Sequence, residues 1–379
     1  MGDLLIVTGD SSADNYAARL VEKLKNSDRF TGKIFAAAGR KTEAAGAELV
    51  ENLVDNAVVG FLEVVTSLPY FLSVARRLEN LVKKENIGTV LFMDFPGFNM
   101  RFARRLVKYD LNLLYYITPQ VWAWGRKRLS TLKEIFEELL VIFPFEEDYL
   151  KDREVKARFV GHPILETWSE TSPRPVRQEL DIPAGKSIVS FFPGSRSGEI
   201  SRHLPVMLAV IDRLAEKFPG WQPVLSRAAA VDQDDFEAYL TDLDTEIPIW
   251  VDDARSLLEE TEFAILGSGT VTMEAAFAGT PMLVGYKTSR ISYYLGRLLV
   301  NIDRIAMPNL VDRRVRVPEL IQSEFNSQLL FEKTKEFLES TQKRRNQRGR
   351  LQLMRSQFEG KNPTEEVVRV LEDYLVLSG

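Results

Sequence analysis

Short apolar runs alternate along the chain with stretches that carry apolar residues at helical spacing. The apolar runs of the first half are "DLLIVTG", "KIFAAAG", "IGTVLFMDF", "LNLLYYI", "ELLVIFPF" and "ARFVGHP". Amphipathic stretches such as residues 14–25 and 99–109 lie between most of them. Near-continuous apolar strands separated by helices are typical of a parallel sheet that is covered on both faces. The first half is therefore predicted to form a doubly wound α/β domain.

The alternating pattern is interrupted at residues 166–180, "ETWSETSPRPVRQEL", where Ser, Thr and two Pro disfavour regular structure. It resumes with "SIVSFFPGS", "WQPVLS", "IPIWVD", "EFAILG" and "PMLVGY". We therefore predict an α/β fold in which two doubly wound, Rossmann-like domains, residues 1–165 and 166–325, face each other across a cleft. Residues 326–379 contain helical patterns only, and we expect these helices to pack on the first domain or on a partner subunit.

Composition excludes several classes of site and partner. At 379 residues the chain is too long for one ordinary core, which agrees with two domains. A net charge of −5 gives no reason to expect nucleic acid as a partner. The chain has no Cys and two His, which excludes thiolate sites and argues against a His-rich centre, so we expect neither a metal nor a cofactor. The N-terminal "MGDLLIVTGD" lacks a basic segment followed by a long apolar one, which predicts a cytoplasmic protein.

Two loops of the second domain have the composition of an anion site. Residues 193–196, Pro-Gly-Ser-Arg, and residues 267–270, Gly-Ser-Gly-Thr, each follow a predicted strand, where ligands of open α/β sheets bind. Small residues expose the N–H groups of a helix start, and Arg196 is suited to bidentate phosphate contacts. Glu274, one turn into its helix, is placed to accept from a ribose. The alternative is that the glycines only form turns and Arg196 is solvated. No Walker lysine pattern and no G-x-G-x-x-G motif occurs.

Several motifs resemble those of the lipid-A-disaccharide synthases. They occur in the family's order from about residue 4 to 322 and read "YYITPQVWAWGRKR", "FVGHP", "FFPGSRSGEI", "GSGTVTMEAAFAGTPMLVGYK" and "MPNLV…VPELIQ". The resemblance implies a GT-B glycosyltransferase that inverts configuration and needs no obligatory metal. It would condense UDP-2,3-diacylglucosamine, a UDP-activated acylated amino sugar, with the lipid acceptor 2,3-diacylglucosamine 1-phosphate (lipid X). The products would be lipid A disaccharide 1-phosphate and UDP, as in lipid A biosynthesis.

The resemblance also implies site residues. The donor residues that match the family's motifs are Ser195, Arg196, Gly269, Thr270, Glu274 and Asn309. The acceptor half departs from the family. Residues 9–14, with the candidate acceptor residue Ser12, read Gly-Asp-Ser-Ser-Ala-Asp in place of Gly-Glu-x-Ser-Gly-Asp. Residues 94–99 read Asp-Phe-Pro-Gly-Phe-Asn in place of Asp-x-Pro-Asp-Phe-Asn, and "AGRKTEAAG" replaces a Gly-Pro-Arg-Met run. These departures bear on the identity of the acceptor more than on the type of reaction.

A glycosyl transfer of this kind needs a base for the acceptor hydroxyl. Asp94 follows the apolar run "TVLFM" and should lie at the carboxyl edge of its sheet, where the resemblance places the family's proposed base. Burial there would raise the pKa of the carboxyl group toward a useful range. The alternative is that Asp94 caps a helix over residues 97–109. Asp10, after the first strand, is the second candidate base, and His162 is predicted to be structural.

A lipid substrate suggests contact with a membrane. Residues 57–84 begin with a dense apolar part, but Glu63 and Pro69 interrupt it, so it does not have the roughly 20 apolar residues of a spanning helix. It is typical of a segment that lies in the interface. The candidate contacts are the apolar Phe61, Val64, Leu68 and Phe71 and the cations Arg101, Arg104, Arg105 and Lys108, which share one helical face. The alternative is that residues 57–75 are core and the cations are solvated.

These observations together predict a lipid glycosyltransferase that is peripheral on the inner face of the cytoplasmic membrane. Two alternatives remain open at the level of sequence. One is another GT-B glycosyltransferase or an epimerase that uses UDP-N-acetylglucosamine, and the other is a sugar-nucleotide-binding protein without turnover. The oligomeric state is also left open, a homodimer being one of the options.

Overall fold

The computed structural model describes residues 2–56, 68–122, 127–241, 243, 246–289 and 304–377. The chain divides into two compact units, of which the first contains Met1–Glu166 together with Gly360–Gly379 and the second contains Thr167–Glu359. The C-terminal helical region is therefore shared between the two units. Across the described ranges, no helix is both long enough and apolar enough to span a bilayer.

The first unit is built on a parallel sheet. Its strands are β1 Leu4–Val7, β2 Ile34–Ala38, β3 Glu48–Asn52, β4 Thr89–Met93, β5 Asn112–Tyr116, β6 Glu138–Val141 and β7 Ala157–Phe159. Its helices before the division are α1 Ser11–Lys25, α2 Arg40–Ala44, α3 Leu53–Asn56, α4 Leu68–Lys84, α5 Pro96–Leu106, α6 Lys127–Ile135, α7 Pro144–Lys151 and the start of α8 Pro163–Glu170. The strand order is β3-β2-β1-β4-β5-β6-β7.

The second unit repeats this architecture. Its strands are β8 Ser187–Phe192, β9 Trp221–Arg227, β10 Ile249–Val251, β11 Thr261–Gly267, β12 Met282–Tyr286 and β13 Glu319–Ile321. Its helices are α9 Val176–Glu179, α10 Ser197–Lys217, α11 Gln233–Glu237, α12 Ala254–Glu260, α13 Val271–Ala278, α14 Met307–Val311, α15 Ser327–Leu338 and α16 Thr341–Arg355, followed by a 3₁₀ turn over Ser356–Phe358. The strand order is β10-β9-β8-β11-β12-β13, again parallel.

The last helix, α17 Pro363–Leu377, belongs to the first unit and packs on α1. Ion pairs link it to the start of the chain. Lys23 lies 3.0 Å from Glu365, and Arg29 lies 2.9 Å from the buried Glu372. The amide of Gly2 also donates to the carbonyl oxygen of Leu375 at 3.1 Å. The C-terminal helix thus completes the core of the first unit.

The prediction of two doubly wound α/β domains is confirmed. The central strands, such as β1, β4 and β11, are buried along almost their whole length because helices cover both faces of each sheet. Every predicted apolar run forms a strand. The sequence patterns do not predict the edge strands β3 and β13, whose residues are mostly half-exposed and whose "ELVEN" and "ELI" lack a long apolar run.

The strand order reverses once in each sheet, and this fixes where a ligand can bind. In the first sheet the reversal lies between β1 and β4, and in the second it lies between β8 and β11. The loops that follow these strands diverge to opposite faces of the sheet and leave a crevice at its carboxyl edge. Asp10 and Asp94 follow the first pair, and the two donor loops, residues 193–196 and 267–270, follow the second.

Candidate active site

Asp94 lies directly after β4 in an unusual backbone conformation. Its φ is 44° and that of Phe95 is 48°, so two consecutive non-glycine residues are left-handed. Such residues are disfavoured by roughly 1–3 kcal/mol each and cluster at functional sites. The N-cap of α5 is Phe95, which makes no side-chain capping hydrogen bond. The alternative that Asp94 caps this helix is therefore wrong, since the left-handed turn moves the cap position one residue further on.

Two side chains hold the backbone of Asp94. The hydroxyl group of Tyr115 donates to the Asp94 carbonyl oxygen at 2.7 Å, and the amide Nδ2 of Asn99 donates to the same oxygen at 2.7 Å. Asn99 Nδ2 also lies 3.2 Å from the carbonyl oxygen of Met93. The carbonyl group is thus fixed from the neighbouring strand β5 and from α5. Sequence reasoning did not assign these roles to Tyr115 and Asn99.

The carboxyl group of Asp94 has a pKa that suits a general base. Burial raises its pKa to about 6, and the nearby charge of Asp10 adds to the shift, while a hydrogen bond from the Phe95 backbone opposes it. A base is most effective when its pKa lies close to the working pH. Asp94 is therefore largely ionised at neutral pH and still basic enough to take a proton.

Asp10 has a capping role in addition to its position at the same edge. Its carboxylate is the N-cap of α1 and accepts from the amides of Ser12 at 2.9 Å and Ala13 at 3.4 Å. Protonating Asp10 would weaken both bonds. Asp10 and Ser12 are exposed, whereas Asp94 is half-buried. The structure therefore brings both candidate bases to one edge and gives only Asp94 a carboxyl group outside a capping interaction.

An aromatic cluster lies beside Asp94. The ring of Phe95 packs so closely on Gly9 that a Cβ there would lie 2.7 Å from the ring. The ring of Phe71, in the first turn of α4, lies 5.9 Å from that of Phe95 and 5.7 Å from that of Phe98. Phe71 is therefore part of the packing of α4 against α5. The next residue, Leu72, is 44% exposed.

The other predicted apolar membrane contacts are Phe61, Val64 and Leu68. Phe61 and Val64 lie outside the described residues, and Leu68 is the first residue of α4.

Most of the predicted basic face is paired within the first unit. The buried carboxylate of Glu79 lies 3.0 Å from Nε of Arg105 and 2.8 Å from Nζ of Lys108, and it accepts from the hydroxyl of Tyr109 at 2.7 Å. These bonds, led by those from Lys108 and Tyr109, lower the pKa of Glu79 to about 2. Arg104 donates to Thr131 at 2.9 Å. Arg101 is the exposed member of this face for which the described structure records no such partner.

The segment after β5 is held by a buried glutamate that sequence reasoning missed. Nε1 of Trp122 donates to Glu146 at 2.8 Å, and the amide of Phe143 donates to the other carboxyl oxygen at 3.1 Å. Burial raises the pKa of Glu146 to about 7. His162 packs on Phe143, and burial lowers its pKa to about 3, so it stays neutral. The contacts of Glu146 and His162 are thus structural contacts within the first unit.

The first donor loop of the second unit exposes a cation at a helix N-terminus. Arg196 is the N-cap residue of α10 and its side chain is 84% exposed. Glu199, in the first turn, accepts from the amide of Ser195 at 3.2 Å and lies 3.8 Å from the guanidinium group of Arg196. Gly194 has a φ of 128°, and a Cβ there would lie 2.6 Å from Glu199. Only glycine allows this turn, which presents Ser195 and Arg196 to an incoming anion.

The second donor loop follows the adjacent strand β11. Gly269 and Thr270 are exposed, and α13 begins at Val271 without a side-chain cap. In the first turn of α13 the amides of Thr272 and Met273 donate to the carbonyl oxygens of Gly269 and Thr270 at 3.1 and 2.9 Å, and the partial positive charge of the helix N-terminus favours an anionic ligand. The hydroxyl of Ser268 donates to the carbonyl oxygen of Ile305 at 3.2 Å, which fixes the start of the loop.

Glu274 lies one turn into α13, where its pKa is strongly perturbed. Burial raises its pKa to about 7, and the charges of Asp253 and Asp252 add to the shift. These two aspartates follow β10 and are both left-handed, with φ of 46° and 55°. Asp253 also caps α12 through the amide of Ser256 at 3.1 Å. Near neutral pH Glu274 is thus able to donate or accept a hydrogen bond. The two aspartates were missed because their proximity depends on the packing of α12 against α13.

Asn309 is buried, and its side chain is used within the protein. Its Nδ2 donates to the carbonyl oxygen of Val317 at 2.9 Å and to Glu319 at 2.6 Å, while its Oδ1 accepts from the amide of Val317 at 2.8 Å. Glu319 in turn accepts from the amides of Ile305 and Ala306. Asn309 therefore supports the loop that touches Ser268, and its amide group is not free to contact a ligand.

The described part of the chain holds no group of three His, Asp or Glu side chains arranged to bind a metal ion. It holds two carboxylates after β1 and β4, and an exposed arginine and the N-termini of α10 and α13 after β8 and β11.

Proteins similar to this chain share one description. The family model for lipid-A-disaccharide synthetase matches residues 4–368. The lipid-A-disaccharide synthase of Anaeromyxobacter dehalogenans is 35% identical over 321 residues, which cover 84% of this chain and 83% of the relative. The corresponding protein of Solibacter usitatus is 31% identical over 367 residues, which cover 95% and 94%.

Solved structures share the fold at lower identity. A UDP-GlcNAc 2-epimerase from Neisseria meningitidis, bound to UDP-GlcNAc, superposes with a TM-score of 0.66 and 12% identity over 98% of this chain and 100% of that one. The glycotransferase of kitacinnamycin gives 0.66 and 14% over 98% and 99%. These structures confirm the predicted GT-B architecture, and the family match confirms the resemblance of the motifs. The chain belongs to the lipid-A-disaccharide synthetase family of glycosyltransferases.

Proposed function

We propose that this enzyme joins UDP-2,3-diacylglucosamine to 2,3-diacylglucosamine 1-phosphate and releases UDP. The observation that carries the proposal is the position of the two donor loops. β8 and β11 are adjacent and parallel at the switch point of the second sheet, so the loops at their carboxyl ends start at neighbouring strand ends and flank one crevice. Each loop leads into a helix N-terminus, and one of them carries the exposed Arg196. This is an arrangement suited to a nucleoside diphosphate.

In the proposed complex, the second unit binds the donor. Arg196 contacts the diphosphate through its guanidinium group, with Ser195 beside it, and the backbone of Gly269 and Thr270 approaches the phosphate oxygens. Glu274 accepts from the ribose hydroxyls. Hydrogen bonds from the ribose hydroxyls to the ionised carboxylate of Glu274 favour that ionised form and so offset the effect of burial on its pKa. Asn309 acts through the loop that it supports.

The first unit supplies the base. Asp94 takes the proton of the acceptor's 6-hydroxyl group as that oxygen attacks the anomeric carbon of the donor. The new carbon–oxygen bond forms on one face while the bond to the diphosphate breaks on the other, which inverts the configuration. The electron pair of the broken bond leaves with UDP, whose added negative charge Arg196 and the helix amides stabilise. No cofactor takes part in this scheme.

We also propose that the first unit contacts the inner surface of the cytoplasmic membrane. The support is the exposed Leu72 beside the aromatic cluster and the exposed Arg101 on α5. Because Glu79 pairs with Arg105 and Lys108, fewer cations are available for anionic headgroups than the sequence alone implies.

The test is product analysis. Purified protein is incubated with UDP-2,3-diacylglucosamine and with or without 2,3-diacylglucosamine 1-phosphate, and both UDP and the lipid product are quantified by mass spectrometry. We expect UDP and disaccharide 1-phosphate in equal amounts, only with acceptor. Isomerised UDP-sugar would indicate an epimerase instead. Binding without any product would indicate a sugar-nucleotide-binding protein, and either result would refute the proposal.

A further inference from the structure

His203 is a buried histidine for which the proposed reaction has no use. It lies in the second turn of α10, only 1% exposed, and it is one of two histidines in the chain. The N-cap of the helix that carries it is Arg196. An imidazole buried beneath a ligand loop, with both ring nitrogens in contact with backbone, indicates a role in positioning that loop.

The ring of His203 connects the ends of three strands. Its Nδ1 lies 2.8 Å from the carbonyl oxygen of Pro193, which follows β8, and its Nε2 accepts from the amide of Lys287, which follows β12, at 3.0 Å. A Cβ on Gly267, the last residue of β11, would lie 3.4 Å from Nδ1. Both donor loops start at these strand ends. The ring therefore lies directly beneath the two loops that the proposed function assigns to the diphosphate.

These contacts select one form of the imidazole. A carbonyl oxygen accepts only, so Nδ1 must carry the proton, and an amide donates, so Nε2 must be unprotonated. The Lys287 carbonyl oxygen lies 3.2 Å from Nε2, but donation to it would leave the Lys287 amide without this acceptor. The required form is neutral and has its proton on Nδ1. Burial lowers the pKa of His203, which favours the neutral form.

The charges around the ring partly cancel. Glu199 raises the pKa of His203, as do the carbonyl oxygens of Pro193 and Lys287, whereas Arg202 lowers it. The remaining groups against the ring are the aromatic side chains of Tyr286 and Phe325, with ring centroids at 5.7 and 5.5 Å. Two aromatic side chains and the backbone of the strand ends therefore contact the imidazole.

We propose that His203, in its neutral Nδ1–H form, is a positioning residue that sets the relative position of the two donor loops. This rests on the proposed function for the identity of the ligand. The hydrogen bonds of His203 to Pro193 and Lys287 form a tie that fixes the end of β8 relative to the end of β12, and β11 lies between these two strands. Releasing it allows small shifts of Ser195 and Arg196, and shifts of about 1 Å are enough to weaken binding.

The test uses three substitutions and UDP as the probe. His203→Leu keeps an apolar volume and removes both bonds, and we expect UDP affinity to fall about tenfold by calorimetry. His203→Asn places an N–H donor near the position of Nδ1 and should recover most of the affinity. His203→Gln places an acceptor near that of Nε2 and should recover part. Equal UDP affinity in wild type and His203→Leu would overturn the proposal, as would Asn and Gln variants no better than Leu.

The matched control is His162→Asn, which alters the other buried histidine. Asn is able to accept from the amide of Ile164, as Nδ1 of His162 does at 3.3 Å, and UDP affinity should not change. A thermal melt of each variant separates loss of fold from loss of loop position. If His203→Leu does not fold, the comparison of the Asn and Gln variants with wild type still decides the matter.

Nitrogen NMR tests the tautomer independently of UDP. In His162→Asn the only imidazole is that of His203, and we expect a pyrrole-type signal for Nδ1 and a pyridine-type signal for Nε2 at neutral pH. The opposite assignment, or an imidazolium, would refute the inference. If wild-type protein fails to bind UDP while the expected tautomer is present, then the proposed function fails and the tie between the strand ends stands as a structural feature.

Discussion

After β1 and β4 of the first sheet come two carboxylates, whereas after β8 and β11 of the second sheet come small residues and an exposed arginine. The topological position is the same in both units, but the electrostatic setting is opposite. Asp94 is half-buried, next to Asp10, and its backbone is fixed by Tyr115 and Asn99. Arg196 is exposed on a short loop. One edge is thus suited to moving a proton and the other to holding an anion.

The difference also appears in how the two edges are supported. The first edge relies on side chains that reach the backbone of Asp94, the proposed base. The second relies on backbone geometry, with Gly194 in a left-handed turn and His203 beneath the strand ends. If this division of roles is correct, then substitutions at the first edge should change turnover, and substitutions at the second should change donor affinity.

The largest expected effect comes from Asp94→Asn. Asn tolerates a left-handed φ but takes no proton, so turnover should fall by about 10² to 10⁴. UDP affinity, measured by calorimetry, should stay unchanged. The control is Asp10→Asn, which is still able to cap α1 and should retain most activity. An inactive Asp10→Asn beside an active Asp94→Asn would make Asp10 the base.

The melting temperature of Asp94→Asn should depend on pH differently from that of wild type. Because the folded pKa of Asp94 is raised from 3.8 to about 6, its ionisation opposes folding. The stability that this group contributes is present below pH 3.8 and is lost as the pH rises through about 6. Asp94→Asn should therefore melt higher than wild type at pH 8 and at about the same temperature at pH 4.

Arg196→Ala should give the next largest effect, now on binding. Loss of charge-assisted bonds to a diphosphate is expected to weaken UDP binding by about 2 kcal/mol, roughly 30-fold. Arg196→Lys should recover only part, since the bidentate geometry is lost. Arg213→Ala is the matched control, because Arg213 lies on the same helix and stacks on Phe331. An Arg196→Ala variant with wild-type UDP affinity would show that the loop of residues 193–196 does not bind the diphosphate through Arg196.

Tyr115→Phe should have a smaller effect on turnover alone. It removes one hydrogen bond to the Asp94 carbonyl oxygen, worth about 1 kcal/mol, so the rate should fall about fivefold while UDP affinity stays the same. Tyr116→Phe is the control, since successive strand residues point to opposite faces of the sheet. If both variants turn over equally, then the position of the Asp94 backbone does not depend on Tyr115.

The smallest effects concern the surface near the aromatic cluster. Phe71→Ser removes a ring that packs on Phe95 and Phe98, so it should lower stability by about 1–2 kcal/mol in thermal melts. Leu72→Ser should change stability by less than about 0.5 kcal/mol, because Leu72 is 44% exposed, but should reduce binding to anionic vesicles. A Phe71→Ser variant as stable as wild type would show that this ring is free surface.

Sequence patterns predicted most of the fold because the central strands are long apolar runs that have no other stable environment than a covered sheet. They did not predict β3 and β13, where half-exposure leaves no apolar signal. At the site, strand ends and small residues led to the predictions for Asp94 and Arg196, which the substitutions above test. The coupling of Asp94 to Asp10 was not predictable, because β1 and β4 become neighbours only through the strand order.

Long-range pairing also limits what a charge pattern reveals. Arg105 and Lys108 share a helical face with Arg101, which favoured an exposed basic surface. The structure pairs Arg105 and Lys108 with Glu79. Glu79 lies in α4, far from both residues in the sequence, so no local pattern reveals the pairing. Similarly, Asn309 matches a donor motif, but only the structure shows that its amide group is bonded to Val317 and Glu319.

The most direct test of the proposed division of roles is the pH dependence of turnover. The value of kcat/KM for the acceptor, which reports the protein before the acceptor binds, is measured from about pH 5 to 8 in wild type and in Asp10→Asn. A base must be ionised, so the wild-type rate should rise through about pH 6, the pKa of Asp94. Asp10→Asn removes a neighbouring negative charge, so its rise should occur at lower pH. A rise at the same pH in both proteins, or a rate that falls over this range, would contradict the assignment of Asp94 as the base.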